Sequence, residues 1–234
     1  MKFLIQTVNK KITHDFSFTL LESIKYNNWL NNSNDMKYKT IEYKDFNFKK
    51  YHKKYIPIGS VEFVCDFLKH FYNKVPKPKN VPKELFGFAN RFIFNTDNTV
   101  MGDYFIKSND VIKSHLNGIY GNDKTLISGS YQCSDIIEIK SEWRCFVYKN
   151  ELVGLQNYSG DFTIFPDVDK INGIIKNYNN SSISYTLDVG INDTGTFIIE
   201  IHDFFSCGLY GFANYKILPY MFSRWFYEYL NSNK

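Results

Sequence analysis

Residues 184–208 read SYTLDVGINDTGTFIIEIHDFFSCG. Two runs rich in Ile, Phe, Thr and Tyr flank the polar turn NDTG, the composition of an antiparallel hairpin. With the turn centred on Asp193 and Thr194, Asp188 on the first strand falls nearly opposite Glu200 on the second. Two facing carboxylates without counter-charges repel each other unless a divalent cation lies between them. His202 shares the Glu200 face, two residues on, and Asp203 begins the polar exit from the strand. The alternative is structural, with one acid at the turn rim and the other paired to a lysine.

Moving outward, residues 141–148 read SEWRCFVY. Period-two alternation puts Glu142 and Arg144 on one face of a strand and Trp143 and Cys145 on the other. The acid and the arginine either pair with each other or serve a ligand. Only Arg91, Arg144 and Arg224 are arginines among 28 basic residues. In a chain that uses lysine by default, an arginine marks a place where a planar, permanently charged fork is needed. Lys107 ends the strand YFIK and can reach a phosphate as a point charge. A lysine, an arginine and two acids on adjacent antiparallel strands together suit a magnesium–nucleotide site, since Mg²⁺ usually binds one or two carboxylates plus phosphate oxygens.

The rest of the second half reads as further strands: RFIFN (91–95), DYFIKS (103–108), TLISGS (125–130), DIIEI (135–139) and ELVGLQNY (151–158). A short helix is expected at 169–178, and LPYMFSRWFYEYL (218–230) is an amphipathic helix. Between Val147 and Leu152 the residues YKNE make a tight turn with Asn150 available for a positive φ. The first half differs. A buried strand at 2–8, a helix at 14–30, a short strand near 38–43, the apolar segment YIPIGS and a helix at 61–72 capped by Ser60 suggest a small α/β unit. KVPKPKNVP (74–82) cannot be helical and is the linker candidate. The expected domains are therefore 1–80, small α/β, and 81–234, the antiparallel part.

Composition sets the outer bounds. The 234 residues are 44% hydrophobic and 22% charged, which supports a sizeable core and excludes wholesale disorder. A net charge of +4 with dispersed basic residues gives no nucleic-acid footprint. Lys107-Ser108-Asn109-Asp110 lacks the Asp-Gly that a nucleotidyl-ligase lysine motif requires. No apolar run nears the roughly 20 residues of a membrane span, and the opening MKFLIQTVNKK is too short for a secretory signal. A cytoplasmic protein with no membrane partner is expected. Four scattered cysteines read as ordinary buried thiols.

The order FIK…SEWRCFV…YTLDVGI…GTFIIEIHDFFSCGLYGF resembles the ATP-grasp superfamily, most closely the clade of phages, viruses and bacterial conflict systems named for two arginines and one lysine. The resemblance spans about residues 84–215, and the first 75 residues are similar to the small α/β domain that precedes the grasp. It implies an ATP-grasp fold of α+β class, with antiparallel sheets enclosing a nucleotide. It also implies an ATP- and Mg²⁺-dependent carboxylate–amine ligase acting through an acylphosphate on an amino acid, peptide or protein, in the host cytoplasm if viral. Residue by residue, Lys107 would bind phosphates, with Lys113 a further nucleotide contact. Arg144 and Arg91 would be the two catalytic arginines. Adenine would lie at the hinge near Cys133 to Ile136, assigning Ser134, Asp135 and Ile136 to the nucleotide together with Glu142. The loop NGIYGNDK (117–124) would close over the phosphates. Mg²⁺ would be held by Asp188, Glu200 and His202. The family's Glu-x-Asn reads Glu200-x-His202 here, followed by Asp203, so His202 serves, or Asp203 does, or the site is weakened. The last case describes a catalytically weak nucleotide-binding protein with an interaction or regulatory role. Neither Arg144 nor Glu200 is expected in the core.

Overall fold

The computed structural model describes residues 1–42, 48–97, 102–121 and 129–232. The chain forms two compact units. One comprises Met1–Val75, Ser182–Tyr185 and Asp203–Lys234; the other comprises Pro76–Ser181 and Thr186–His202.

In the first unit, β1 (Lys2–Thr7) is the middle of a parallel sheet, flanked by β2 (Lys37–Glu42) and β3 (Ile56–Ile58). Phe3, Leu4 and Ile5 of β1 are fully buried in succession, the pattern of a parallel strand covered on both faces. Helix α1 (Asp15–Leu30) supplies the crossover from β1 to β2, and α2 (Val61–Tyr72) follows β3. Ser60 caps α2 by accepting from the Phe63 N–H at 3.3 Å, and Asn73 ends it in the left-handed region at φ 52°.

The C-terminal helix α4 (Leu218–Asn231) clusters with this unit and not with the strands that precede it, so chain order and spatial division differ beyond residue 202. The reason is its aromatic face. Phe222 packs on Phe204, Trp225 stacks on Phe205 at 4.5 Å, and Phe226 lies against Phe67 and Tyr72. The Lys74 ammonium donates to the carbonyls of Tyr229, Leu230 and Ser232, neutralising the negative end of α4. Near the proline-rich segment the first unit breaks off at Val75 and the second begins at Pro76.

The second unit contains one four-stranded sheet and most of another. The first is antiparallel, in the order β4 (Ile93–Thr96), β7 (Tyr131–Ser134), β5 (Tyr104–Ser108), β6 (Gly118–Tyr120). The second runs β11 (Gly195–Asp203), β10 (Ser184–Asn192), β8 (Ser141–Tyr148), β9 (Glu151–Gly160). Helix α3 (Val168–Asn177) buries Ile171, Ile174 and Ile175. Lys149 and Asn150, at φ 54° and 61°, make the two-residue turn between β8 and β9. These are the sheets of an ATP-grasp fold, with the parallel sheet of the first unit as its small α/β companion.

Two expectations are corrected. DIIEI is not a strand: the ladder ends at Ser134, and 135–139 run as an irregular hinge. Three of its isoleucines point into a cleft and satisfy the apolar pattern without pairing. Within 117–124, residues 118–120 pair with β5 as β6, and 122–124 lie outside the described residues, as do 125–128 of TLISGS.

Candidate nucleotide site

A cleft of about 510 Å³ opens within the second unit. One wall carries Phe105, Lys107, Ile119, Gln132 and Ser134, the other Glu142, Tyr158, Ile199 and Glu200, and the hinge closes one side with Asp135, Ile136, Ile137 and Ile139. Apolar hinge side chains with a few convergent charges make a surface suited to a flat base at one end and an anion at the other.

The hinge is pinned at both ends. The Asp135 N–H donates to the Phe92 carbonyl at 3.1 Å, and the Phe92 N–H returns a bond to the Asp135 carboxylate at 3.0 Å. At the far end the Lys140 N–H donates to the Ile191 carbonyl at 2.8 Å. Gln132 is fixed by a reciprocal pair with the Val81 backbone.

The Lys107 ammonium is ion-paired with Glu200, whose other oxygen lies 2.7 Å from His202 Nε2. Burial on its own would raise the Glu200 carboxyl. The Lys107 charge and the His202 imidazole outweigh it and hold the group well below the usual carboxylate range. Arg91 lies beside them and, among the described residues, forms no ion pair. Its guanidinium donates to the carbonyls of Ala89, Ile198 and Ile199 and sits over the Phe197 ring. Burial lowers its pKa to about 10, partly offset by the charges of Asp135 and Glu200. Successive carbonyls of a regular strand point to opposite sides. Here the carbonyls of Ile198 and Ile199 both accept from one guanidinium, and Ile199 and Glu200 both line the cleft.

Arg144 forms a two-pronged pair with Asp188, Nε to Oδ1 at 2.8 Å and Nη2 to Oδ2 at 2.7 Å. Both are buried, at 8% and 1% exposure. The expectation that Arg144 stands outside the core is thereby corrected. So is the expectation that Asp188 and Glu200 lack counter-charges: each has one, drawn from a strand distant in sequence.

Glu142 does not pair with Arg144 two residues away. It accepts a 2.6 Å hydrogen bond from the Tyr158 hydroxyl, while the Tyr158 ring lies 5.6 Å from the Arg144 guanidinium carbon. Tyr158 occupies a bulge: Glu142 opposes Ser159 and Trp143 opposes Asn157, leaving Tyr158 the extra residue. The Asn157 amide secures the bulge by donating to Ser141 Oγ and to the carbonyls of Glu142 and Ser159. Burial, then the Asp188 charge and the Glu142 bond, push the Tyr158 phenol well above its ordinary pKa, so it stays a donor.

Of the residues singled out in the sequence, the cleft gathers Arg91, Lys107, Ser134, Asp135, Ile136, Glu142 and Glu200. His202 touches it through Glu200. Lys113 does not join: it is exposed, at a left-handed φ of 54°. Asp203 does not join either. It falls on the strand face opposite Glu200 and His202 and accepts from Ser182 Oγ at 2.6 Å. Among the described residues no three His, Cys, Asp or Glu side chains form a metal-binding group, so Asp188, Glu200, His202 and Asp203 are not one cluster. Tyr158 escaped the sequence reading, because a tyrosine in LQNYSG carries no signal of a bulge.

Two sheets around a cleft with a pinned hinge, a strand-end lysine and a strand-borne glutamate make a candidate nucleotide site of the kind an ATP-grasp fold carries. A family model described as ATP-grasp domain, R2K clade family 2, matches residues 100–219, and the chain belongs to that family. Its fold is similar to D-alanine–D-alanine ligase from Bacillus anthracis complexed with ATP, at TM-score 0.54 and 13% identity, covering 100% of this chain and 99% of that one. It is similar to the D-cycloserine synthetase DcsG at TM-score 0.59 and 10% identity, covering 99% and 100%. A RimK domain ATP-grasp protein from Sphaerobacter thermophilus gives TM-score 0.56 and 8% identity, covering 98% and 100%. No curated protein sequence matches the chain. Among the described residues no helix is long and apolar enough to cross a membrane.

Proposed function

We propose that the protein is an ATP- and Mg²⁺-dependent ligase joining a carboxylate to an amine through an acylphosphate. The observation that carries this reading is the Lys107–Glu200 pair at the charged end of a cleft whose other end is an apolar hinge, in a chain of the ATP-grasp family. The named ligase and synthetase with the same fold support it.

In this reading Ser134, Asp135 and Ile136 border the base, and Glu142 presents a carboxylate to the nucleotide. Lys107 exchanges Glu200 for phosphate oxygens. Glu200 is the carboxylate best placed for the metal, with His202 beside it and Asp188 joining only by giving up part of its Arg144 pair. The donor set fits Mg²⁺, which takes one or two carboxylates and completes its shell with phosphate and water. When bound, the metal supplies neutralisation of the phosphoryl charge. Arg91 and Arg144 add fixed positive charge where negative charge develops as the substrate carboxylate attacks the γ-phosphate and the amine then displaces phosphate. No side-chain nucleophile is needed. The division into a small domain 1–80 and a grasp domain 81–234, the phage or viral affiliation, and action in the cytoplasm on an amino acid, peptide or protein belong to the same proposal.

A second reading is a nucleotide-binding protein with little turnover. The bond between His202 and Glu200, where the family's pattern has an amide, favours it. Calorimetry of ATP with and without Mg²⁺, followed by phosphate release across amino-acid and peptide pairs, separates the two. Mg²⁺-enhanced ATP binding with substrate-stimulated phosphate release supports the ligase. Binding without stimulation by any pair, together with a marked gain of turnover in His202→Asn, supports the second reading. Absence of ATP binding overturns both.

A further inference from the structure

We propose that Tyr158 is a positioning residue that keeps Glu142 and Arg144 from pairing with each other, leaving Glu142 to the nucleotide and Arg144 on Asp188. The inference rests on the ligase reading for its functional consequence, though not for its geometry. On one strand face, residues i and i+2 have Cα atoms about 7 Å apart, well within the reach of a glutamate and an arginine. In the low-dielectric interior such a pair attracts strongly. The two nevertheless take different partners: Arg144 holds Asp188 with both prongs, and Glu142 accepts from Tyr158. The Tyr158 side chain touches both of them, its hydroxyl on the acid and its ring near the guanidinium. A tyrosine suits this place because its ring face attracts a cation while its O–H satisfies a carboxylate. The bulge that turns it inward is held by the Asn157 amide, so the placement is built into the β8–β9 ladder.

Three variants test the claim. Tyr158→Phe keeps the ring and removes only the donor to Glu142. It is expected to raise KM for ATP several-fold with kcat for ATP turnover near that of the parent. Tyr158→Leu removes the ring while keeping bulk, and it lets Arg144 swing to Glu142. There kcat should fall by roughly tenfold or more. Adding Glu142→Gln to Tyr158→Leu removes the competing acid. The double variant should regain kcat to the level of Glu142→Gln alone, a rescue that a purely packing role would not produce. Equal fold-losses from Tyr158→Leu in the parent and Glu142→Gln backgrounds would overturn the inference.

A crystal structure of Tyr158→Leu gives a readout that needs no activity. Arg144 turned toward Glu142 supports the inference; Arg144 still two-pronged on Asp188 refutes it. If the parent protein fails to bind Mg-ATP in calorimetry, the ligase reading falls, while the Arg144 position in that crystal still decides whether Tyr158 separates the charges.

Discussion

At the scale of single residues, four charges are arranged as two pairs, and the pairs behave differently. Arg144–Asp188 is buried and two-pronged. Removing one partner strands the other charge, so Arg144→Ala should cost about 3–5 kcal/mol, read as a lower melting temperature. Arg144→Lys recovers only part of that, because an ammonium cannot reproduce the planar fork. The Lys107–Glu200 pair makes a prediction about pH. The folded-state pKa of Glu200 is depressed, so its stabilising contribution is present above the unfolded carboxyl value of about 4.3. That contribution is lost as pH falls from there through the folded value. Scanning calorimetry between neutral pH and pH 3 should show a steep acid loss in the parent and a flatter one in Glu200→Gln. Identical slopes would mean that Glu200 is not held low.

At the scale of elements, turns and caps carry the testable content. Lys149 occupies a positive φ of 54° that costs a lysine about 1 kcal/mol. Lys149→Asn combined with Asn150→Gly should therefore raise the denaturation midpoint, and an unchanged midpoint would count against strain in that turn. Gly160 sits at φ 74°, where an added Cβ would lie 2.3 Å from the Lys140 carbonyl oxygen. Gly160→Ala should displace the end of the hinge and weaken ATP binding more than it lowers melting temperature, which paired calorimetric runs would show.

The sequence already displayed much at this level. The 184–203 hairpin, the EWR strand, α2 behind Ser60 and the Lys107 strand end are all local patterns of period, cap or turn. What it concealed depends on neighbours distant in the chain. Ile136, Ile137 and Ile139 look the same in a ladder or lining a cleft. Whether Asp188 meets a metal or Arg144 is decided by β10 lying beside β8. A lysine such as Lys113 gives no sign in its own letters that its loop turns outward.

At the scale of the whole molecule, the spatial units cut across chain order. Helix α4 covers aromatic residues of the first unit, including Phe67, Phe204 and Phe205. A chain ending at Ile217 should expose those rings, and limited proteolysis should then cut within residues 1–75 at sites protected in the parent. Unchanged protection would show that α4 is dispensable to that unit.

The segment that completes the first unit follows the second unit in the chain. About 140 residues must leave the ribosome between Val75 and Leu218, which takes on the order of ten seconds or more at ordinary rates of synthesis. The opening parallel sheet must wait that long for its aromatic cover, while the nucleotide cleft can close before it. Every residue that lines the cleft is therefore synthesised before the helix that covers the aromatic rings of the first unit.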